Sequence, residues 1–100
     1  MNQPADDKQQ ALDERTAEER DRLQVVFGEA LRKLRHSQDL TLEKLAERAE
    51  LHTNYVGSVE RGERNISLFN IWRLALALNL PATELMQALP AHRLREPEAP

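Results

Sequence analysis

The sequence predicts an all-α domain of five helices, and three observations carry that reading. Apolar residues recur at spacings of three and four through most of residues 23–89, the repeat of one helix face. Side chains able to accept from free backbone N–H groups stand just ahead of these runs, at Thr16, Thr41 and Ser67. No stretch shows the alternation of a strand, and no internal repeat appears.

The elements follow in order. Residues 1–16 are polar and without period, so they are expected to be mostly disordered. TAEE from Thr16 to Glu19 reads as a capping box, which starts helix 1 at about 17–36. Its stripe is Leu23, Val26, Phe27, Ala30, Leu31 and Leu34. HSQD makes a turn in which Asp39 tolerates a left-handed backbone. Thr41 caps helix 2, about 42–49, with Leu42, Leu45, Ala46 and Ala49 inward. A tight turn at Glu50–Leu51 leads to helix 3, about 53–61, which stops at Gly62. Ser67 caps helix 4, about 68–78, whose core stripe is Leu68, Ile71, Leu74, Ala75 and Leu78. Asn79 ends it, and Pro81 fits the first turn of helix 5, about 81–88. The ordered domain is therefore placed at 17–89, with a flexible tail at 90–100.

Composition narrows what such a domain can do. One hundred residues make one domain, with 40% apolar residues for its core. The net charge is −3, which argues against coating nucleic acid by bulk charge. The acidic excess is local: residues 1–27 hold four Lys/Arg and seven Asp/Glu, whereas residues 28–90 hold eight of each. No cysteine is present, so disulfides and thiolate metal sites are excluded and a reducing cytoplasm is expected. No secretory signal and no membrane-spanning run is seen. His36, His52 and His92 have no metal spacing, and no Gly-rich phosphate loop occurs. Ser58 and His52 lack a third group to orient the His. Neither an enzyme nor a cofactor or metal is expected.

Helix 3 holds the main constellation. On a helical wheel, Tyr55, Val56 and Val59 share one face, and Thr53, Asn54, Gly57, Ser58 and Arg61 share the other. Short hydrogen-bonding groups with one long cation can read base edges in a major groove, and a glycine lets the backbone approach a partner. The same face could also be merely solvated. Helix 2 weighs toward reading, because Leu45, Ala46, Ala49, Leu51, Val56 and Val59 allow two short helices to cross steeply, with helix 3 as recognition helix.

The run LRKLRHSQDLTLEKLAERAELHTNYVGSVERGERNISLFNIWRLALALNLPATEL resembles the phage-repressor/Cro-like helix-turn-helix family, also called the xenobiotic-response-element family. Within it the chain is most similar to small controllers of restriction–modification operons. The resemblance implies a five-helix domain that binds a two-fold operator in double-stranded DNA. It implies base reading by His52, Thr53, Asn54 and Ser58. Phosphate contacts are expected from Thr41, Lys44, Tyr55, Arg61, Arg64, Asn65 and Ser67. Arg35 and Glu60 take the positions of a buried structural ion pair. The sequence departs from the family pattern at Leu42 (usually Gln), Glu50 (usually Gly), His52 (usually Ser or Asp) and Thr53 (often Arg in controllers).

Helix 4 carries a second apolar stripe, Phe69, Trp72 and Leu76. Either helix 1 or helix 5 covers it, or it joins Leu85, Met86 and Leu89 in a homodimer seam. The expected function is a sequence-specific transcriptional regulator in the cytoplasm, of restriction–modification, antitoxin or phage/plasmid type. RNA polymerase or another protein is a conceivable partner. The competing class is a protein-interaction module of the same fold that reads no DNA.

Overall fold

The computed structural model describes residues 4–91, which form α1 (Pro4–Ser37), α2 (Leu42–Ala49), α3 (Thr53–Glu60), α4 (Leu68–Ala77) and α5 (Ala82–Met86). No strand occurs among the described residues. The second half of α1 packs on α3 and α5, α2 packs on α3 and α4, and α4 packs on α5. Phe27, Leu31, Leu45, Val56, Val59, Leu74, Leu78 and Leu85 make the centre of the core.

The largest correction lies in α1. Residues 4–16 are helical, and Thr16 sits inside the helix rather than capping it. A 34-residue helix is about 51 Å long, and this rod sets the 53 Å long axis of the molecule. Its first half lacks an apolar period because it covers nothing: residues 7–16 are all exposed. It is held instead by good helix formers and i,i+4 bonds, Gln9 to Asp13 (2.9 Å) and Gln10 to Glu14 (3.5 Å). Residues 1–3, and the predicted tail from residue 92 onward, lie outside the described residues.

Where α1 reaches the core, Gly28 permits a close crossing. A Cβ there would meet the carbonyl oxygen of Val59 and lie 2.6 Å from that of Glu60. The two helices are joined next to this crossing by Arg35 and Glu60. Arg35 Nε donates to Glu60 Oε2 (2.7 Å) and Nη2 donates to Oε1 (2.9 Å). Arg35 Nη1 also donates to the Leu40 carbonyl (2.9 Å), just before α2. Both side chains are mostly buried, at 11% and 7% exposure. The expected structural pair is therefore present.

The turns carry the expected signals. Asp39 and Asn79 are left-handed, with φ of 55° at each. Thr41 Oγ1 accepts from Lys44 N (3.1 Å), and Ser67 Oγ from Asn70 N (3.1 Å). Glu50 ends α2 at φ 58°, a conformation that costs a non-glycine residue about 1–2 kcal/mol. Gly62 (φ +79°) ends α3 against Val25, whose Cα leaves no room for a side chain.

Three further expectations change. Leu68 opens α4 and is 81% exposed, whereas Ala77 takes a place in the core. Helix 5 is shorter than expected, and Pro81 is its N-cap rather than part of its first turn. Leu85, expected in a dimer seam, is fully buried beneath α4 and α1, so it belongs to the domain's own core.

Adding one methyl group at Gly28 should force α1 away from α3. Gly28→Ala is expected to lose about 1–3 kcal/mol, the range for overpacking, despite its better helix propensity; a denaturant titration measures it.

Candidate nucleic-acid interface

α2 and α3 are joined by the short Glu50–His52 turn and packed together through Leu45, Ala46, Ala49 and Val56. This packing leaves one side of α3 free. His52 and Asn54 are exposed and Thr53 is half-exposed. His52 is the N-cap but makes no capping hydrogen bond through its side chain. Both leave their hydrogen-bonding groups toward solvent at the start of α3.

Further along α3 the wheel fails. Gly57 and Ser58, expected on the outward face, are buried. A Cβ at Gly57 would lie 3.2 Å from Leu42 Cδ2 and 3.2 Å from Arg61 Nη1. The glycine therefore accommodates Leu42 of α2 and the Arg61 side chain, not an external partner. Ser58 is only 4% exposed. Its hydroxyl donates to the Tyr55 carbonyl (2.6 Å) and accepts from Arg64 Nε (3.0 Å). The Arg64 guanidinium lies 5.9 Å from the Tyr55 ring centroid. Tyr55 Oη in turn accepts from Asn70 Nδ2 (3.0 Å). Ser58, Tyr55, Arg64 and Asn70 thus form one connected unit. A helix wheel cannot show it, because Arg64 comes from the loop after α3 and Asn70 from α4. The signal available in the sequence was Gly62, whose left-handed turn sends the loop back along α3.

The other cations differ in how free they are. Arg61 pairs with Glu63 (Nε to Oε2 2.9 Å, Nη2 to Oε1 3.3 Å), and both side chains are exposed. This hydrogen bond raises Arg61 above its ordinary pKa and holds the Glu63 carboxyl below its own. The pair is therefore intact above the usual carboxylate range and is lost as pH falls through the lowered Glu63 value. Lys44 sits 3.5 Å from Glu47 at the surface. Asn65 is exposed beside Ser67, and the Ser67 and Thr41 hydroxyls are engaged as helix caps. Thr41 and Lys44 thus stand at the start of α2, whereas Arg61, Asn65 and Ser67 run from the end of α3 to the start of α4.

A second surface lies on α4. Phe69, Trp72 and Leu76 are 57%, 51% and 57% exposed. The two rings stack at 6.1 Å with 19° between planes. Neither α1 nor α5 covers this stripe. Met86 is also exposed, and Leu89 is half-buried against the core.

Among the described residues, no group of His, Asp or Glu could hold a metal ion, and no helix is long and apolar enough to cross a membrane. A helix-turn-helix family model matches residues 31–85, more than half the chain. The chain belongs to this helix-turn-helix family. Control protein C.BamHI of Bacillus amyloliquefaciens is 37% identical over 65 residues, covering 64% of this chain and 80% of the relative. Control protein C.SmaI of Serratia marcescens is 41% identical over 64 residues, covering 64% and 76%. Among solved structures, the restriction-modification controller protein C.AhdI from Aeromonas hydrophila superposes with a TM-score of 0.61 at 50% identity, over 62% of this chain and 94% of that one. The expected family and fold are borne out, and the chain is a DNA-binding transcriptional regulator of the helix-turn-helix family. α2 and α3 are its helix-turn-helix pair.

Asn54 presents an amide from the first turn of α3, and Asn pairs bidentately with adenine. Asn54→Ala should relax the preference at one operator position by about 1–3 kcal/mol and leave other positions sharp. Binding to a panel of single-base operator variants measures this.

Proposed function

We propose that this regulator binds a two-fold operator as a homodimer and controls a restriction–modification operon. The observation that carries the dimer is the exposed Phe69–Trp72 stack with Leu76, on the side of α4 away from the core. Large aromatic side chains left in water on a rigid helix are the usual anchors of a protein interface. In this reading the exposed Met86 and the half-buried Leu89 complete the seam. One recognition helix buries too little surface for tight specific binding. Two copies set about 34 Å apart would enter successive turns of one DNA face.

In this reading His52, Thr53 and Asn54 face base edges. Thr41, Lys44, Tyr55, Arg61, Asn65 and Ser67 hold phosphates through side chains and helix-opening amides. The work is binding rather than catalysis. The controller role is supported by the likeness to control proteins and to the C.AhdI structure. Such a protein would act on the promoter of its own operon, with RNA polymerase as the machinery it assists or blocks.

A gel shift against the chain's own upstream DNA tests the reading: a retarded band that resists excess unrelated duplex is expected, and its absence contradicts it. Sedimentation tests the dimer. Wild type should be dimeric at micromolar concentration. Trp72→Glu should be a folded monomer with much weaker operator binding, and a mutant that stays dimeric would rule out this seam.

A further inference from the structure

Arg64 was expected to hold a phosphate, because it lies in the loop flanking α3. Its head group is not in the flank. Nε is bonded to Ser58 Oγ at 3.0 Å, and the guanidinium lies against Tyr55, so the charge has been carried back onto α3 itself. Ser58 stands four residues after Asn54, one turn along the same helix face. At 4% exposure beneath Arg64, Ser58 cannot present its own hydroxyl to a base. At this place the outermost group on α3 is the guanidinium. Its Nε edge is committed to Ser58, and neither terminal nitrogen has a hydrogen-bond partner among the described residues. The Nη1/Nη2 edge is therefore the free one, a planar fork of two parallel N–H groups.

We infer that Arg64 is a specificity-determining residue that reads a guanine through this fork. Guanine offers O6 and N7 in the major groove at the spacing of the fork, the commonest specific contact of arginine. Ser58, Tyr55 and Asn70 act as positioning residues: they hold the guanidinium in place before DNA arrives, so less side-chain freedom is lost on binding. One helical turn rises about 5.4 Å, and base pairs are stacked about 3.4 Å apart. The guanine should thus lie roughly one to two base pairs from the position read by Asn54, on each half-site. The inference rests on the DNA-binding reading and adds to it the identity of one base and the residue that selects it.

The test is selection from a library of double-stranded DNA with a randomised core, with wild type and Arg64→Lys compared in parallel. Lysine keeps the charge but lacks the planar fork. The expected result is that Arg64→Lys loses guanine preference at one symmetry-related pair of positions, by about 5- to 150-fold, the span of one bidentate contact. The Asn54 position should stay sharp and the log–log salt slope unchanged. Ser58→Ala should weaken the same guanine preference and no other. A phosphate contact would behave oppositely. Arg64→Lys would then keep every base preference, while Arg64→Ala would weaken binding to all sequences alike and lower the slope by about one per subunit; that pattern overturns the inference. A wild type that enriches no sequence at all would instead overturn the DNA-binding reading beneath it. Melting curves matching wild type establish that all three variants are folded.

Discussion

A single guanidinium holds the domain's two halves in register. Arg35 leaves α1, grips the Glu60 carboxylate at the end of α3 with two hydrogen bonds, and gives a third to the Leu40 carbonyl at the entry to α2. Taking both charges out of water is expensive, so such a pair adds little net stability compared with apolar residues of the same size. Its value lies in direction. The bidentate geometry admits one orientation of Glu60, and so one position for the C-terminal end of α3 relative to α1. The Glu60 hydrogen bond outweighs the effect of burial on Arg35 and raises its pKa, so the charged form is the favoured one. No buried side-chain nitrogen or oxygen among the described residues lacks a partner. Removing either charge would leave the other stranded.

The recognition surface follows from that constraint. With α3 clamped at its end by Glu60 and pressed on α1 at Gly28, its apolar side is committed to the core and its first turn faces out. The chain after Gly62 then folds back, which lets Arg64 rest on Ser58 and Tyr55. The protein as a whole is acidic, so attraction to DNA must come from the placement of a few cations rather than from total charge. The acidic excess sits mainly in the projecting half of α1, while residues 28–90 are neutral. The α4 surface is built from Phe69, Trp72 and Leu76, residues distinct from the exposed start of α3 at His52–Asn54. Arg73 stands between them: it donates to the Glu50 carbonyl at the end of α2 (3.2 Å) and lies over the Phe69 ring (4.6 Å).

Much of this was legible in the sequence, for physical reasons that can be named. α2 was placed at its observed bounds because Thr41, Leu45, Ala46, Ala49 and Glu50 supply a cap, a stripe and a stop within ten residues. The Arg35–Glu60 pair was reached through family resemblance; periodicity alone gives no pairing across 25 residues. The first half of α1 was missed because an exposed rod has no apolar period to detect, even though its residues favour helix. Leu85 was assigned to a seam because spacing shows that a residue is inward without showing which neighbour it meets. Ser58 and Gly57 were read as outward because a wheel treats a helix as isolated. In the protein, Leu42 from α2 and Arg64 from a loop close over them.

Arg35 and Glu60 act as one unit that sets α3 in place. A double-mutant cycle on stability tests it most directly. Glu60→Gln alone should lose about 3–5 kcal/mol, because Arg35 then stays buried without a counter-charge. Arg35→Met combined with Glu60→Leu should lose far less than the two single changes summed. A Glu60→Gln melting curve that overlays wild type, or single effects that simply add, would contradict the account.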